Sequence, residues 1–188
     1  MPEFTLTAEP PLAGYDHNFG TAHLRAPAGL AFVSIALPLG GEDAALKAVK
    51  SAYGVAMPEV GQMATAKDGA ILMRMSVDQG FVLFAHDTPD ANVVVNAKLK
   101  GKAYTTDQTD VWCALELSGA RARDALERIC PLDLNDSGFS VGEVKRTMME
   151  HLGTLIARKD ADTWVLMSAS SSAGSFLHAI ETSIHNVS

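Results

Sequence analysis

The order of predicted secondary structure elements occurs twice in this sequence, and the repeat constrains the fold more than any other feature. Apolar runs, alternating segments and turn residues predict strand, helix, three strands and helix in residues 30–100, and the same order again in residues 109–186. Corresponding elements begin 77 to 83 residues apart. The sequence therefore predicts an internal duplication.

Individual residues support this repeat. Four residues recur with the same identity 84 positions later: Gly69, Arg74, Asp78 and Ala85. Two such units predict an α+β fold in which two pseudo-symmetric βαβββα halves form mainly antiparallel sheet with helices on one face. We expect residues 29–188 to form one domain made of these two halves.

Residues 1–28 differ from the rest because they contain four prolines and show no sustained apolar period. We interpret them as an extended N-terminal arm, which either wraps its own domain or contacts a partner. Tyr15 and Phe19 are possible aromatic anchors and favour the partner. On this interpretation, deletion of residues 1–25 leaves the fold nearly intact and weakens assembly.

Composition excludes several classes of protein. The chain has 15 Lys and Arg against 22 Asp and Glu, a net charge of -7, which argues against nucleic acid as a partner. With 47% hydrophobic and 20% charged residues, it is expected to fold as a globular protein. No apolar run reaches the length of a membrane helix and no secretory signal is recognised, so we expect a cytoplasmic protein. Cys113 and Cys130 lie in apolar segments and are interpreted as reduced core residues.

Motifs for catalysis or phosphate binding are weak. Gly40-Gly41 precedes a helix and is interpreted as a turn, not as a phosphate-binding loop. Ser170-Ser171-Ser172 has no surrounding nucleophile motif and is interpreted as a helix N-cap. His178, Glu181 and His185 share one helix face and are a conceivable zinc set. They lie off the apolar stripe, however, on a face expected to be solvated.

The remaining polar candidates favour structural roles as well. Asp133 and Asp136 lie in a loop, where Asp residues usually form local turns. Exposed positions are expected for two histidines and for a cluster of basic residues: His86, His151, Arg121, Arg123 and Arg128. The sequence therefore predicts no catalytic, cofactor-binding or metal-binding residue in this chain.

Several segments of the second half resemble the gamma subunit of heterotetrameric sarcosine oxidase. These segments are Leu117–Leu126, Cys130–Leu134, Arg146-Thr147 and Asp162-Thr163-Trp164. The resemblance covers Thr109 to the C-terminus, whereas the first half matches in pattern. A broader similarity extends to the folate-binding fold of the glycine-cleavage aminomethyltransferase, where a Ser-Gly dipeptide, here Ser118-Gly119, also opens a helix.

The resemblance implies a non-catalytic structural and interface subunit. The family complex oxidises sarcosine to glycine, formaldehyde and hydrogen peroxide, or makes 5,10-methylenetetrahydrofolate when tetrahydrofolate is present. The implied partners are the alpha, beta and delta subunits. FAD, FMN, NAD and tetrahydrofolate are then expected on these partners and not on this chain.

A stand-alone folate-binding protein or folate-dependent aminomethyltransferase-like enzyme is the alternative. Such a protein requires a central pocket with a carboxylate, and basic groups for the folate tail.

Overall fold

A computed structural model describes residues 9–87 and 89–187. The strands are β1 (Asp16–Asn18), β2 (His23–Arg25), β3 (Leu30–Ala36), β4 (Met63–Thr65), β5 (Ile71–Arg74), β6 (Gln79–Ala85), β7 (Tyr104–Asp107), β8 (Trp112–Ser118), β9 (Val144–Met149), β10 (Leu152–Asp160) and β11 (Thr163–Ala169). The α-helices are α1 (Glu42–Tyr53), α2 (Ala91–Leu99), α3 (Ala122–Glu127) and α4 (Ala173–His185), and a 3-10 turn, Ser170–Ser172, precedes α4.

The strands form two antiparallel sheets with related strand orders. The six-stranded sheet has the order β1-β2-β8-β11-β10-β9, and the five-stranded sheet has the order β4-β5-β6-β3-β7. Within them, β4-β5-β6-β3 of the first half and β9-β10-β11-β8 of the second half match strand for strand. This is the topology that the repeat predicts, and the predicted α+β class is confirmed.

Arg74 and Arg158 make the same contacts in the two halves. The Nη2 atom of Arg74 donates to the carbonyl of Val77 at 2.6 Å, and that of Arg158 donates to the carbonyl of Ala161 at 2.9 Å. Each acceptor lies three residues further along the chain, at the tip of a hairpin. The two arginines therefore hold equivalent turns, as expected of related halves.

The two sheets join through their outer strands β4 and β9. The Met63 N–H donates to the Gly142 carbonyl at 2.7 Å, and the Val144 N–H donates to the Gly61 carbonyl at 2.8 Å. Gly61 and Gly142 have φ values of 81° and 90°, a conformation that glycine adopts without steric cost. Equivalent residues of the halves thus bond to each other around a local two-fold axis.

Residue alternation along the strands divides the core into three layers. In β11, Trp164 and Leu166 face α3 and α4, whereas Val165 and Met167 face the other sheet. In β3, Val33 faces α1 and α2. The order of layers is therefore helices, sheet, sheet, helices. Burial of both sheet faces explains why several strands are nearly continuous apolar runs.

Part of the predicted N-terminal arm belongs to the domain, which corrects that interpretation. Residues 1–8 lie outside the described residues. The strands β1 and β2 form a hairpin, and β2 pairs with β8 so that Leu24 lies opposite Leu117. Leu24 is fully buried. The hairpin occupies the position beside β8 that β7 occupies beside β3, so the N-terminus completes the sheet of the second half.

Two predicted helix starts also differ from the structure. The predicted start at Gly119 moves to Ala122, because Gly119 has a φ of 114° and packs against the backbone of Thr21. The sequence of the first half also predicts a helix from Pro89 with Thr88 or Asp87 as its cap, and in the structure this helix begins at Ala91. Thr88 lies outside the described residues.

Candidate functional site

One groove of about 400 Å³ lies at an end of the six-stranded sheet, where β8 and β10 begin and β9 and β11 end. Trp112 and Leu155 supply apolar walls, and Arg146 and His151 supply polar groups. Neither Arg146 nor His151 forms an ion pair with a described residue. A Cβ added to Gly153 would meet no atom within 4 Å, so the groove is open above it. Its volume is within the range of ligand-binding pockets.

A second cavity of about 400 Å³ lies between the end of α3 and the outer face of α4. Arg128 and His178, both predicted to be exposed, line it together with Glu150. Ser183 also lines this cavity, but its hydroxyl donates to the buried carbonyl of Ala125 at 2.6 Å. The serine therefore joins α4 to α3 and is not available as a nucleophile.

The conceivable zinc set on α4 is separated into unrelated contacts. Glu181 accepts a hydrogen bond from the Tyr15 hydroxyl at 2.6 Å, and burial together with this bond raises the pKa of Tyr15. The His185 ring lies 5.1 Å from the Phe19 ring, whereas His178 faces the second cavity. Among residues 9–87 and 89–187, no group of three potential ligands could hold a metal ion. Tyr15 and Phe19 thus anchor the hairpin to α4 of the same chain.

Asp133 and Asp136 face different partners. Asp133 accepts from the backbone N–H of Asn135 at 3.0 Å and from its side-chain amide at 2.9 Å, and these bonds lower the pKa of Asp133. Asp136 pairs with Arg158 at 2.7 Å. The first aspartate makes the local turn that the sequence predicts, and the second neutralises a buried arginine, so the two do not form an acid–base pair.

The serine run does not cap α4 in the way the sequence predicts. Ser172 is the N-cap residue but makes no side-chain capping bond. The Ser170 hydroxyl instead donates to the Asp110 carbonyl at 2.6 Å and joins the end of β11 to the segment before β8. The prediction of a capping role for this run is therefore wrong, and Ser170 makes a structural contact instead.

The other candidates make structural contacts. Arg121, the residue before α3, pairs with Asp124 at 3.1 Å and donates to the Val187 carbonyl at 2.9 Å. Arg123 pairs with Glu127 on α3 at 3.6 Å. The Gly40 N–H donates to the Glu42 carboxylate at 3.0 Å, within a turn. His86 lies 2.7 Å from Asp90.

Both cysteines are free and buried. Burial raises the pKa of the Cys113 and Cys130 thiols, which disfavours the reactive thiolate.

Sequence reasoning missed a charged network around Glu116. Its carboxylate accepts from the Arg25 Nε at 2.9 Å and from the Lys159 Nζ at 2.7 Å. Burial alone would raise the pKa of Glu116, but the two cations outweigh burial and hold it below its usual value. The three residues are 91 and 43 positions apart, so only the sheet brings them together. The network fastens β2 and β10 to β8.

Comparison with solved structures defines the class of fold. One chain of a heterotetrameric sarcosine oxidase from Corynebacterium sp. U-96, solved in complex with pyrrole 2-carboxylate, matches with a TM-score of 0.75 at 21% identity, over 88% of this chain and 84% of that chain. The glycine cleavage system aminomethyltransferase T from Bartonella henselae matches with a TM-score of 0.60 at 17% identity, over 85% of this chain and 45% of that chain. The fold is therefore the folate-binding-like fold that the sequence predicts.

Curated relatives point to a particular member of this class. The chain is 27% identical to the sarcosine oxidase subunit gamma of Arthrobacter sp. over 121 residues, which are 64% of this chain and 60% of the relative. It is 27% identical to the sarcosine oxidase subunit gamma of Corynebacterium sp. (strain P-1) over 150 residues, 79% of this chain and 72% of the relative. No family model matches. The predicted resemblance to sarcosine oxidase gamma subunits is confirmed.

No helix in the described part of the chain combines the length and apolar character needed to cross a membrane.

Proposed function

We propose that this chain is a structural and interface subunit of a sarcosine oxidase complex. The similarity to two sarcosine oxidase gamma subunits carries the proposal, because one alignment extends over 79% of this chain. The match to a chain of a heterotetrameric sarcosine oxidase supports the same assignment at the level of the fold. The complex would oxidise sarcosine to glycine, formaldehyde and hydrogen peroxide, or form 5,10-methylenetetrahydrofolate with tetrahydrofolate.

The polar contacts of the chain support a structural role. Glu116 holds three strands together, Asp136 neutralises Arg158, and Ser170 joins two segments of backbone. Carboxylates and serine hydroxyls act in catalysis in other proteins, whereas in this chain these three side chains form contacts that stabilise the fold. We therefore propose that FAD, FMN, NAD and tetrahydrofolate bind to the alpha and beta subunits, and that the complex is cytoplasmic.

Co-expression tests this function. The full chain, carrying an affinity tag, is produced with the alpha, beta and delta subunits of the proposed complex. We expect the three partners to co-purify with the tag and the complex to produce hydrogen peroxide from sarcosine. The isolated chain should have no flavin absorbance and no activity on sarcosine. Co-purification of none of the partners would contradict the proposal.

Titration of the isolated chain with tetrahydrofolate separates the two functional hypotheses. A subunit whose role is structural should give no binding heat, whereas a stand-alone folate-binding protein should bind tetrahydrofolate stoichiometrically. Stoichiometric binding combined with failure to assemble would favour the alternative.

A further inference from the structure

Half of the large apolar side chains exposed in the described part of the chain gather at one end of the five-stranded sheet. Leu39 is fully exposed, Val77 is 75% exposed, Tyr104 is 70% exposed and Val60 is 48% exposed. We call these four residues the apolar end surface. Single exposed apolar residues are ordinary, but a cluster of them marks an interaction site.

Backbone contacts bring Leu39 and Val77 to the same end of the sheet. The Leu37 N–H donates to the Asp78 carbonyl at 2.8 Å, which joins the loop before α1 to the β5–β6 hairpin. Leu39 lies in that loop and Val77 lies at the tip of that hairpin. Polar residues dominate such turns, so apolar residues at two adjacent tips call for an explanation.

Val60 and Tyr104 extend this surface on either side. The Gly61 N–H donates to the Arg74 carbonyl at 2.8 Å, which holds Val60 beside the end of β5. Tyr104 lies opposite Ala36 at the end of β3, immediately before the loop that carries Leu39. The four residues therefore lie at the same end of the sheet, with Val60 before one outer strand, β4, and Tyr104 on the other, β7.

The second half shows how an equivalent surface is covered. There the Gly119 N–H donates to the Asp162 carbonyl at 3.0 Å, the counterpart of the bond between Leu37 and Asp78. A Cβ added to Gly119 would lie 2.6 Å from the Thr21 carbonyl, so the N-terminal hairpin packs directly on this loop. In the first half, the loop with Leu39 carries no such cover from the described residues.

The tips of the two equivalent hairpins, β5–β6 and β10–β11, also differ in polarity. Ala161 replaces Val77 at the equivalent tip, between Asp160 and Asp162. The β10–β11 tip of the second half is therefore polar and favours exposure to solvent. The β5–β6 tip of the first half carries an apolar residue and favours contact with another chain.

Charge around the apolar end surface indicates the chemistry of what covers it. Four carboxylates adjoin its residues: Glu42, Asp43, Glu59 and Asp78. Three cations are near in sequence: Arg74 donates to backbone carbonyls, and Lys100 and Lys102 lie four and two residues before Tyr104. The border is therefore acidic beside Leu39, Val60 and Val77, and a complementary surface carries Lys or Arg around apolar side chains.

We propose that the apolar end surface binds another subunit of the complex, through a patch of apolar side chains bordered by Lys or Arg. This inference rests on the proposed function, because the occupant is a partner chain and not a second copy. The side chains that carry it are exposed, so substituting them leaves the core of this chain unchanged.

Charge substitution tests the surface. L39E and V77E are prepared singly and together in the full chain and co-expressed with the alpha, beta and delta subunits. V93E is the matched control, because Val93 is 65% exposed on α2 and lies away from the surface. We expect at least tenfold less partner recovered with the double variant and unchanged recovery with V93E. Cooperative urea unfolding of each isolated variant shows that it is folded, and Y104D replaces any variant that is not.

The outcomes distinguish failure of the surface proposal from failure of the proposed function. If the wild-type chain recovers its partners and the double variant recovers them equally, the surface proposal is wrong and the proposed function stands. If the wild-type chain recovers no partner, both fail. A dimer of the isolated wild-type chain that V77E converts to a monomer would identify a second copy as the occupant and overturn the proposal.

Reversing the charge of two carboxylates beside the apolar end surface tests whether the partner surface is basic. E59K and D78K together should weaken assembly, and the effect should shrink at high salt. Stronger assembly with this variant would show that the partner patch is acidic, which contradicts the proposal.

Discussion

Glu116 lies on β8, and its carboxylate binds a cation from the adjacent strand β2 and another from β10, two strands away on the other side. The side chain is 11% exposed, whereas Arg25 and Lys159 are 46% and 41% exposed. The cations therefore remain hydrated in part, and the carboxylate loses most of its water. Removal of the charge at Glu116 leaves two cations near each other without the anion that separates them.

E116Q should lower the free energy of unfolding by about 1–2 kcal/mol at neutral pH, because charge-assisted hydrogen bonds to half-exposed partners contribute in this range. Since the pKa of Glu116 is lower in the folded chain than its ordinary value of 4.5, the stabilisation is complete above that pH and is lost as the pH falls through the lower, folded value. Urea unfolding of both proteins between pH 3 and 7 measures the difference.

The matched control for this substitution is E127Q, since Glu127 forms an exposed pair at 3.6 Å. We expect less than about 0.5 kcal/mol from it. A pH-independent difference between wild type and E116Q would show that the network has no electrostatic role.

Backbone strain at the β9–β10 turn supports a second residue-scale prediction. Glu150 and His151 form a two-residue turn with φ values of 45° and 69°, a left-handed conformation that favours glycine. H151G should raise the free energy of unfolding by about 0.5–1 kcal/mol, the relief of strain less the added freedom of the unfolded chain. Urea titration measures it.

H178G, on α4, is the opposite control and should lower the free energy of unfolding by about 0.3–0.5 kcal/mol, the difference between His and Gly in helix propensity. Destabilisation by H151G would indicate that the imidazole makes a contact that stabilises the turn.

Sequence reasoning at the residue scale succeeded where the cause is local. Asp133 bonds to Asn135 two positions away, and this turn follows from the loop sequence. Glu116 could not be recognised, because its partners come from strands at distant positions. The two cavities are likewise built from strand ends and helix faces that only the tertiary structure brings together.

At the scale of elements, the N-terminal hairpin is the feature for which the prediction from the sequence was wrong. Its strands have three residues each, too few for alternation to be recognised. Its place in the sheet depends on pairing with β8, which is nearly 100 residues away. The strand β7 was not predicted either, because its four residues are also too few for alternation to be recognised. Longer elements, such as α1 and β11, have enough turns or alternations for their sequence to indicate them.

Substitution of Leu24 tests how much the N-terminal hairpin contributes to the stability of the fold. L24A should lower the free energy of unfolding by about 2–4 kcal/mol, because the side chain is fully buried among the residues of α3, α4 and β8. L39A, in which the leucine is fully exposed, should change it by less than about 0.5 kcal/mol. Equal unfolding midpoints for the two variants would mean that the hairpin is not part of the stable core. Deletion of residues 1–25 should likewise destabilise the chain, contrary to the expectation for a separate arm.

At the scale of the whole molecule, the repeat could be predicted because element order and spacing survive in the sequence. The stacking of the two sheets could not, because a nearly continuous apolar run shows that both faces of a strand are buried without showing what covers them. The structure resolves this: the inner faces cover each other, with the Phe81 and Trp112 rings 6.0 Å apart across the interface.

This arrangement predicts that neither half folds alone. The inner layer draws buried side chains from both sheets, and β2 of the N-terminal hairpin pairs with β8 of the second half. A chain divided between Gln108 and Thr109, in the segment that joins β7 to β8, would expose apolar sheet surface on each fragment. We expect residues 1–108 and 109–188 to aggregate when expressed separately and to form a soluble, cooperatively unfolding pair when co-expressed. Cooperative unfolding of either fragment by itself would show that the halves are independent domains, and that the shared inner layer is a contact between finished structures.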